Sequence, residues 1–222
     1  MTYHLILGDR AYSSWSLRAW LLVDRWDIDA DISYVSFLSR DVEAQLERAT
    51  PSRTVPTLVL ADGTPVWDSL AVAETLAEAH PSIWPEDAPA RAVARSLAAE
   101  MHSGFGALRE VCPMNLRVAY QDWDPGDGVA ADLRRLERIW DYALDRFGGP
   151  WLCGEYSAAD AFYTPVAARI AGYGLNVSES AAAYVRAHLE EPSFRAWRAL
   201  ALTEGPDLPW YARSYPQADW PG

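Results

Sequence analysis

Apolar positions in the first 79 residues switch repeatedly between the period of a strand and the period of a helix. Short apolar or alternating runs predict strands, and apolar residues three and four positions apart predict helices. The predicted strands span 3–7, 31–37, 57–60 and 65–67, and the predicted helices span 14–26, 41–49 and 69–79. Asp62-Gly63 predicts a tight turn between the last two strands. The order β-α-β-α-β-β-α allows a parallel first half and an antiparallel second half.

Strand signals nearly vanish after residue 79. The segment 80–90 contains three prolines, which predicts a linker. The last stretch, 207–222, is rich in Pro, Trp and Tyr and is expected to run irregularly over the surface. The predicted fold class is therefore α/β plus all-α, with a thioredoxin-like N-terminal domain over 1–79 and an all-helical C-terminal domain over 91–222. The helices predicted for the second domain span 91–109, 129–147, 158–171, 180–189 and 194–202.

The charge of the chain argues against nucleic acid as a partner. Lys and Arg number 19 against 31 Asp and Glu, and the net charge of −12 opposes the phosphate attraction on which nucleic-acid binding depends. The sequence starts with no signal-peptide pattern, and no stretch approaches a membrane span, so a cytoplasmic, non-membrane protein is expected. Cys112 and Cys153 are too few for a disulfide framework and match no metal-binding spacing, so no metal site is expected.

Pro56 stands directly before an apolar strand, where it cannot donate a ladder hydrogen bond. We interpret Val55-Pro56 as a cis bond in a turn that directs the N–H and C=O of Val55 toward an extended ligand backbone. The alternative is a trans proline that starts an edge strand. The order of the elements around the turn favours the cis interpretation.

Two helix starts carry groups that suit an anion. Asp68 and Ser69 stand where a strand ends and a helix begins, so the Ser69 hydroxyl and the first backbone N–H groups can take a carboxylate. Ser13, Ser14 and Ser16 place three hydroxyls at the start of the first helix, where a donor and the helix dipole lower the pKa of a thiol. Ordinary N-capping is the structural alternative at both places.

The helical half contains a helix-start pattern of its own. Ser157 and Asp160 have capping-box spacing ahead of the apolar Phe162 and Val166. We interpret the pair as a structural device in the bundle core rather than as part of an active site.

Taken in order, these motifs resemble those of the soluble glutathione S-transferases, in which a thioredoxin-like domain precedes a helical domain. The resemblance covers nearly the whole chain, and its motifs are weak singly but specific in this order and spacing. They are the Ser-rich segment 13–18, Val55-Pro56-Thr57-Leu58, Asp62-Gly63, Trp67-Asp68-Ser69-Leu70-Ala71-Val72, Trp84-Pro85 with Arg91, Trp151-Leu152-Cys153-Gly154, and 157–160.

The resemblance implies that glutathione binds as a co-substrate in an extended form. Its cysteinyl backbone would pair with Val55, beside Pro56, and its γ-glutamyl end would lie at Asp68 and Ser69. Arg53 would meet the glycine carboxylate, with a solvated arginine as the equal alternative.

The hydroxyl that serves the glutathione thiolate is left open between two serines. Ser13 is the first choice, because the doublet resembles the Ser-Ser-Cys-Ser run of the zeta class, where the first serine serves the thiol. Ser14 is the alternative, because serine-type classes often place an arginine four residues after the catalytic serine, as Arg18 is here.

The chain departs from the zeta pattern at three places. Trp15 stands where that class has cysteine, and Asp68 replaces its usual glutamine. The zeta arginine of the helical domain corresponds to a place near Gly172, and Arg169 is close but out of register. General glutathione transfer is therefore the preferred activity over maleylacetoacetate isomerisation.

The resemblance implies an enzyme that directs the glutathione thiolate at a small hydrophobic electrophile, with a role in detoxification, and a homodimer. The alternatives are a zeta-like isomerase and a non-catalytic glutathione-binding protein of the same fold. A thiol-disulfide oxidoreductase would need a cysteine at the start of the first helix, where this chain has serines. By position, the electrophile pocket is expected to involve Tyr12, Met101, Phe105, Met114 and Tyr163, for each of which core packing is the alternative.

Overall fold

A four-stranded mixed sheet forms the centre of the N-terminal part in the computed structural model, which describes residues 3–39 and 41–221. The strand order is β2-β1-β3-β4, with β1 parallel to β2 and antiparallel to β3, and β3 antiparallel to β4. This confirms the predicted thioredoxin-like arrangement. The strands are β1 Tyr3–Leu7, β2 Ala30–Tyr34, β3 Thr57–Val59 and β4 Pro65–Trp67, and the helices are α1 Ser14–Arg25, α2 Val42–Leu46 and α3 Ser69–Ala79.

The second strand and second helix are shorter than the predicted 31–37 and 41–49. After Tyr34 the backbone turns into a short 3-10 helix, Phe37–Ser39. Side chains take the amides of this segment, since the Phe37 N–H donates to Asp9 Oδ2 over 2.6 Å. Strand β2 ends here because backbone amides that donate to side chains no longer pair with a neighbouring strand.

The second half is built from six helices within the described residues, α4 Ala88–Ser103, α5 Gly106–Val111, α6 Gly126–Phe147, α7 Ala158–Gly172, α8 Glu179–Glu190 and α9 Pro192–Thr203. The expectation of one helix over 91–109 was wrong, because the helix is interrupted between α4 and α5. A Cβ at Gly104 would lie 2.7 Å from the Glu100 carbonyl oxygen, and Phe105 has a φ of 56°. Across the described part of the chain, no helix has the length and hydropathy of a membrane span.

The second half is mostly helical rather than all-helical, and its tail is ordered. Strand β5, Ala119–Tyr120, pairs antiparallel with β6, Gln217–Ala218, inside the stretch that was expected to be irregular. The tail is held by aromatic packing, because Tyr215 stacks on Trp123 with ring centroids 4.3 Å apart. The prediction failed here because these contacts join segments far apart in sequence.

Helix α7 runs through the interior, packed against α1, α4 and α8. Its start is the predicted capping box, which the structure confirms. The fully buried Asp160 accepts hydrogen bonds from the Leu152 N–H (3.1 Å), the Ser157 N–H (2.9 Å) and the Tyr184 hydroxyl (2.8 Å). Burial raises the pKa of the Asp160 carboxyl to about 6, and these bonds oppose the rise.

Removing the Asp160 carboxylate is expected to destabilise the fold strongly. Asp160→Ala leaves buried donors unpaired, and we expect a loss of about 3 kcal/mol or more in the free energy of unfolding. Urea unfolding at pH 8 measures it, above the raised pKa of the carboxyl. Ser178→Ala is the matched control, since the exposed Ser178 caps α8 through one bond to the Ala181 N–H and should cost about 1 kcal/mol. Equal losses in the two variants would contradict the anchoring role.

Candidate functional site

A cavity of about 570 Å³ opens beside the start of α1, within the size range of small-molecule sites. The sheet domain supplies one side of its wall, and α5, α7 and the C-terminal tail supply the other. Of the residues predicted for the site, the wall contains Tyr12, Ser13, Ser14, Arg53, Val55 and Met114. The remaining wall residues are Trp15, Phe37, Val42, Thr54, Gly106, Arg109, Glu110, Pro113, Arg169 and Tyr211.

The Ser13 hydroxyl is engaged in local structure. Ser13 is the N-cap of α1, and its Oγ accepts the Ser16 N–H over 3.2 Å. The same hydroxyl donates to Ser16 Oγ over 2.8 Å, and Ser16 Oγ in turn accepts the Gly8 N–H. The chain from Ser13 to Gly8 ties the first strand to the first helix, so both functions of the Ser13 hydroxyl are used within the protein.

Ser14 has a different set of partners. Its Oγ accepts a hydrogen bond from Arg169 Nη2 over 3.3 Å, and its side chain is nearly buried in the cavity wall. Among the residues that the structure describes, none accepts the Ser14 hydroxyl proton. The structure therefore places a hydroxyl with an available proton at the start of α1, where the helix dipole favours negative charge.

The turn before β3 places Val55 in the cavity wall. The Val55-Pro56 bond is cis, as predicted. Ser52 steadies the approach to the turn, because its Oγ accepts the Thr54 N–H over 3.1 Å and donates to the Thr54 carbonyl over 2.8 Å. Arg53 is exposed at the rim and pairs with Glu43 at 3.2 Å.

Asp68 and Ser69 lie at the start of α3, outside the residues that line the cavity. Asp68 has a φ of 80°, caps α3 through the Leu70 N–H, and its other oxygen lies 3.2 Å from His102 Nε2. Ser69 is fully buried, and its hydroxyl has no partner among the described residues. An unpaired buried hydroxyl is uncommon in folded proteins, which makes Ser69 a candidate contact for a ligand group.

The cavity wall carries Arg53, Arg109 and Arg169, although the chain has a net charge of −12, and two arginines lie over the ring of Trp15. The guanidinium of Arg18 lies 4.4 Å from the Trp15 ring centroid and that of Arg109 lies 4.8 Å from it. Burial, followed by repulsion from neighbouring arginines, lowers the pKa of Arg18 to about 9 and that of Arg169 to about 10. Both values leave the side chains charged at neutral pH.

Three residues predicted for the electrophile pocket lie elsewhere. Met101 is fully buried in the core, and the Tyr163 hydroxyl donates to the Leu97 carbonyl inside the helical bundle. Phe105 is buried at the break between α4 and α5. The spacing of the apolar residues did not reveal this break. Met101 and Phe105 were therefore predicted to lie on one unbroken helix over 91–109.

Tyr12 and Met114 do line the cavity, with Tyr211 from the tail beside them. The Tyr12 hydroxyl accepts the Leu208 N–H over 3.2 Å, and the Tyr12 and Tyr211 rings lie 4.8 Å apart. The contact fixes one wall of the cavity to the tail. Tyr211 was not predicted for the site, because the tail was expected to run over the surface.

The position of the zeta-class arginine is closed to a side chain. A Cβ at Gly172 would lie 2.9 Å from the Trp220 ring, so the absence of a side chain there allows the tail to pack. Arg169, almost one turn earlier on α7, lines the cavity instead. Arg169 was not predicted for the cavity, because the sequence of a helix alone does not show which of its faces lines a cavity.

A larger cavity of about 1190 Å³ lies between α3, α4 and residues 153–157. Its acidic wall includes Glu74, Glu78, Glu86 and Glu155, and it contains none of the serines at the start of α1. A thiolate would be repelled there, so the smaller cavity is the better candidate site. Within 3–39 and 41–221, no group of three or more His, Cys, Asp or Glu residues is arranged to hold a metal ion.

Comparison with known proteins gives one family model and similar proteins in both sequence and structure. Residues 12–79 match the model of the glutathione S-transferase N-terminal domain. A probable maleylacetoacetate isomerase of Caenorhabditis elegans is 32% identical over 109 residues, which are 48% of this chain and 50% of that protein. The match therefore spans about half the length of this curated relative.

Two solved structures share the fold over most of the chain. A glutathione transferase homologue from Burkholderia gl BGR1 with bound glutathione is 23% identical, with a TM-score of 0.65 over 90% of this chain and 98% of that one. A glutathione S-transferase from the Antarctic clam Laternula elliptica is 22% identical, with a TM-score of 0.70 over 89% and 92%. At these identities the likeness establishes the fold.

The two cysteines are expected to be unreactive in the folded protein. Both are free and buried, and burial raises the pKa of each thiol to about 12. At pH 8 the thiolate fraction is then on the order of 10⁻⁴. A chromogenic disulfide reagent should release almost no colour from the native protein and two equivalents after denaturation. A fast-reacting native thiol would instead favour an oxidoreductase.

Proposed function

We propose that the chain is a glutathione transferase, because residues 12–79 match the glutathione S-transferase N-terminal domain and the chain shares its fold with solved glutathione transferases. It binds glutathione along the start of α1 and the Pro56 turn, and directs the thiolate at a small hydrophobic electrophile. The observation that carries the proposal is the Ser14 hydroxyl, which lies in the cavity wall with its proton unclaimed among the described residues.

Glutathione is held by groups at both ends in this proposal. The main chain of Val55 pairs with the cysteinyl part, and Arg53 at the rim takes the glycine carboxylate. The γ-glutamyl end lies at Asp68 and Ser69, which is supported by the unpartnered Ser69 hydroxyl. The solved homologue with bound glutathione has the same fold, which makes glutathione the first ligand to test.

Ser14 rather than Ser13 is proposed as the donor to the thiolate. The Ser13 hydroxyl both accepts from and donates to Ser16, so releasing it would break the cap of α1. Ser14 accepts from Arg169 and keeps its own proton for a ligand. A hydrogen bond to the charged form favours that form, so the pKa of the thiol falls.

The chemistry is nucleophilic substitution or addition. The thiol proton leaves to solvent, and the thiolate sulfur forms a bond to the electrophilic carbon. In substitution the leaving group departs with its electron pair, and in addition the resulting anion takes a proton. Tyr12, Met114 and Tyr211 are the wall residues proposed to hold the electrophile.

Replacing the two serines separately is expected to divide catalysis from stability. With glutathione and an aryl halide at pH 6.5, Ser14→Ala should lower kcat/KM by about 10- to 100-fold, because the thiol pKa rises by about 1–2 units. Ser13→Ala should lower kcat/KM less and cost about 1 kcal/mol of unfolding free energy through the lost cap. The reverse ranking of the two activities would contradict the assignment to Ser14.

A zeta-like isomerase is the second candidate function. The partial match to a probable maleylacetoacetate isomerase and the guanidinium groups of Arg109 and Arg169 in the cavity wall favour it. Such a substrate is a carboxylate, and guanidinium groups bind carboxylates well. In this reaction glutathione adds to the double bond and is expelled after rotation, so it is not consumed.

A substrate panel separates the two activities. Aryl halides, isothiocyanates and cis-enone carboxylates are assayed with glutathione, and thiol consumption is followed beside isomer formation. The transferase proposal predicts consumption of glutathione in step with the aryl halide or the isothiocyanate. Isomer formation without thiol loss, and no turnover of the other compounds, would favour the isomerase. Tight glutathione binding without any turnover would favour a non-catalytic binding protein.

The other expectations from the resemblance remain proposals. A homodimer, a cytoplasmic location and a role in detoxification are proposed on the strength of the family alone. The proposed role of Ser14 does not require a dimer, because Ser14 and Arg169 belong to one chain.

A further inference from the structure

Arg169 is held by three different groups inside the protein. Its Nε donates to the Cys112 carbonyl over 2.9 Å and its Nη1 to the Pro165 carbonyl over 3.1 Å. These two bonds fix the plane of the guanidinium, which is 5% exposed. Its Nη2 then reaches Ser14 Oγ over 3.3 Å. A side chain from α7 is thereby aimed at the first residue of α1.

The direction of this hydrogen bond determines what the Ser14 hydroxyl can do. A guanidinium has donors only, so Ser14 Oγ must accept from Arg169. The hydroxyl proton therefore points away from Arg169 and is left for another acceptor. A donor that is itself bonded to a cation is also polarised, and hydrogen bonds in such a chain strengthen one another.

We propose that Arg169 is a positioning residue that orients and polarises Ser14 as the hydrogen-bond donor to the glutathione thiolate. The inference rests on the proposed function and goes beyond it, since it assigns a role in the sheet domain's chemistry to a side chain of the helical part. Arg169 itself does not touch the sulfur in this arrangement. It acts through the Ser14 hydroxyl.

Other charged and titratable groups face the same place and must be separated from Arg169. From α5 and its end these are Arg109, Glu110 and Cys112, and from α1 the group is Arg18. Tyr173 and Tyr211 lie near Arg169 from the end of α7 and from the tail. Arg109 is the useful comparison, because it brings the same charge to the same cavity without bonding to Ser14.

A double-mutant cycle on the pKa of the bound thiol tests the inference. The pKa is read from thiolate absorbance near 240 nm across pH, with the full-length protein saturated with glutathione. Arg169→Met should raise the thiol pKa by about 1 unit and Ser14→Ala by about 1–2 units. The double variant should raise the pKa by clearly less than the sum of the two single shifts, because the part of the Arg169 effect that runs through the hydroxyl is lost with it.

Two further variants make the cycle specific. Arg109→Met removes a charge that acts through space, so its shift should be the same size with Ser14 present or replaced by Ala. Arg169→Lys keeps the charge without the fixed fork, and we expect about half the shift of Arg169→Met. It also provides the measurement if the methionine variant does not fold, which urea unfolding reports separately.

The outcomes separate the failure of this inference from the failure of the proposed function. An Arg169→Met shift of equal size in the Ser14→Ala background, or no shift in a folded variant, would overturn the positioning role while leaving glutathione transfer intact. Calorimetry that finds no glutathione binding by the wild-type protein, or an unshifted wild-type thiol pKa, would overturn the proposed function and this inference with it.

Discussion

Asp160 accepts hydrogen bonds from two backbone amides and two hydroxyls at the buried start of α7, and the position of that helix depends on them. Asp160 and Arg169 lie nine residues apart, so the guanidinium is carried about 13 Å along the helix axis from the anchored end. A helix fixed at one end and packed on three sides carries each of its side chains to a definite place. The capping box therefore serves the cavity without being part of it.

Arginines at and beside the cavity are both buried, which costs free energy, and charged, which favours an anion. Burial of Arg18 and Arg169 lowers their pKa values, which is the cost of removing these cations from water. An anion that enters the cavity beside Arg169 recovers part of that cost. A negatively charged protein thus contains a local positive site, and an anionic sulfur would be stabilised there while the overall surface repels nucleic acid.

Local patterns predicted the strand order, the cis bond at Pro56 and the capping box, because each depends on neighbouring residues. Contacts between distant segments were not predictable. The break between α4 and α5 depends on how close Gly104 comes to a carbonyl, and the hydrogen bond that distinguishes Ser14 from Ser13 comes from an arginine 155 residues away. Arg169 was set aside because it does not align with the zeta-class arginine, whose place falls near Gly172. In the structure the Trp220 ring occupies the space that a side chain at Gly172 would need.

Besides its aromatic packing, the tail that brings Tyr211 to the cavity is attached through main-chain acceptors. Arg213 donates to the carbonyls of Glu110 and Val111, and Arg117 donates to those of Glu204 and Gly205. Every residue type offers a carbonyl, so these bonds survive side-chain changes at the four accepting positions, while Arg213 and Arg117 themselves are required. In evolutionary terms, the wall that Tyr211 adds to the cavity can diverge independently of Ser14, Arg169 and the Pro56 turn on the other sides.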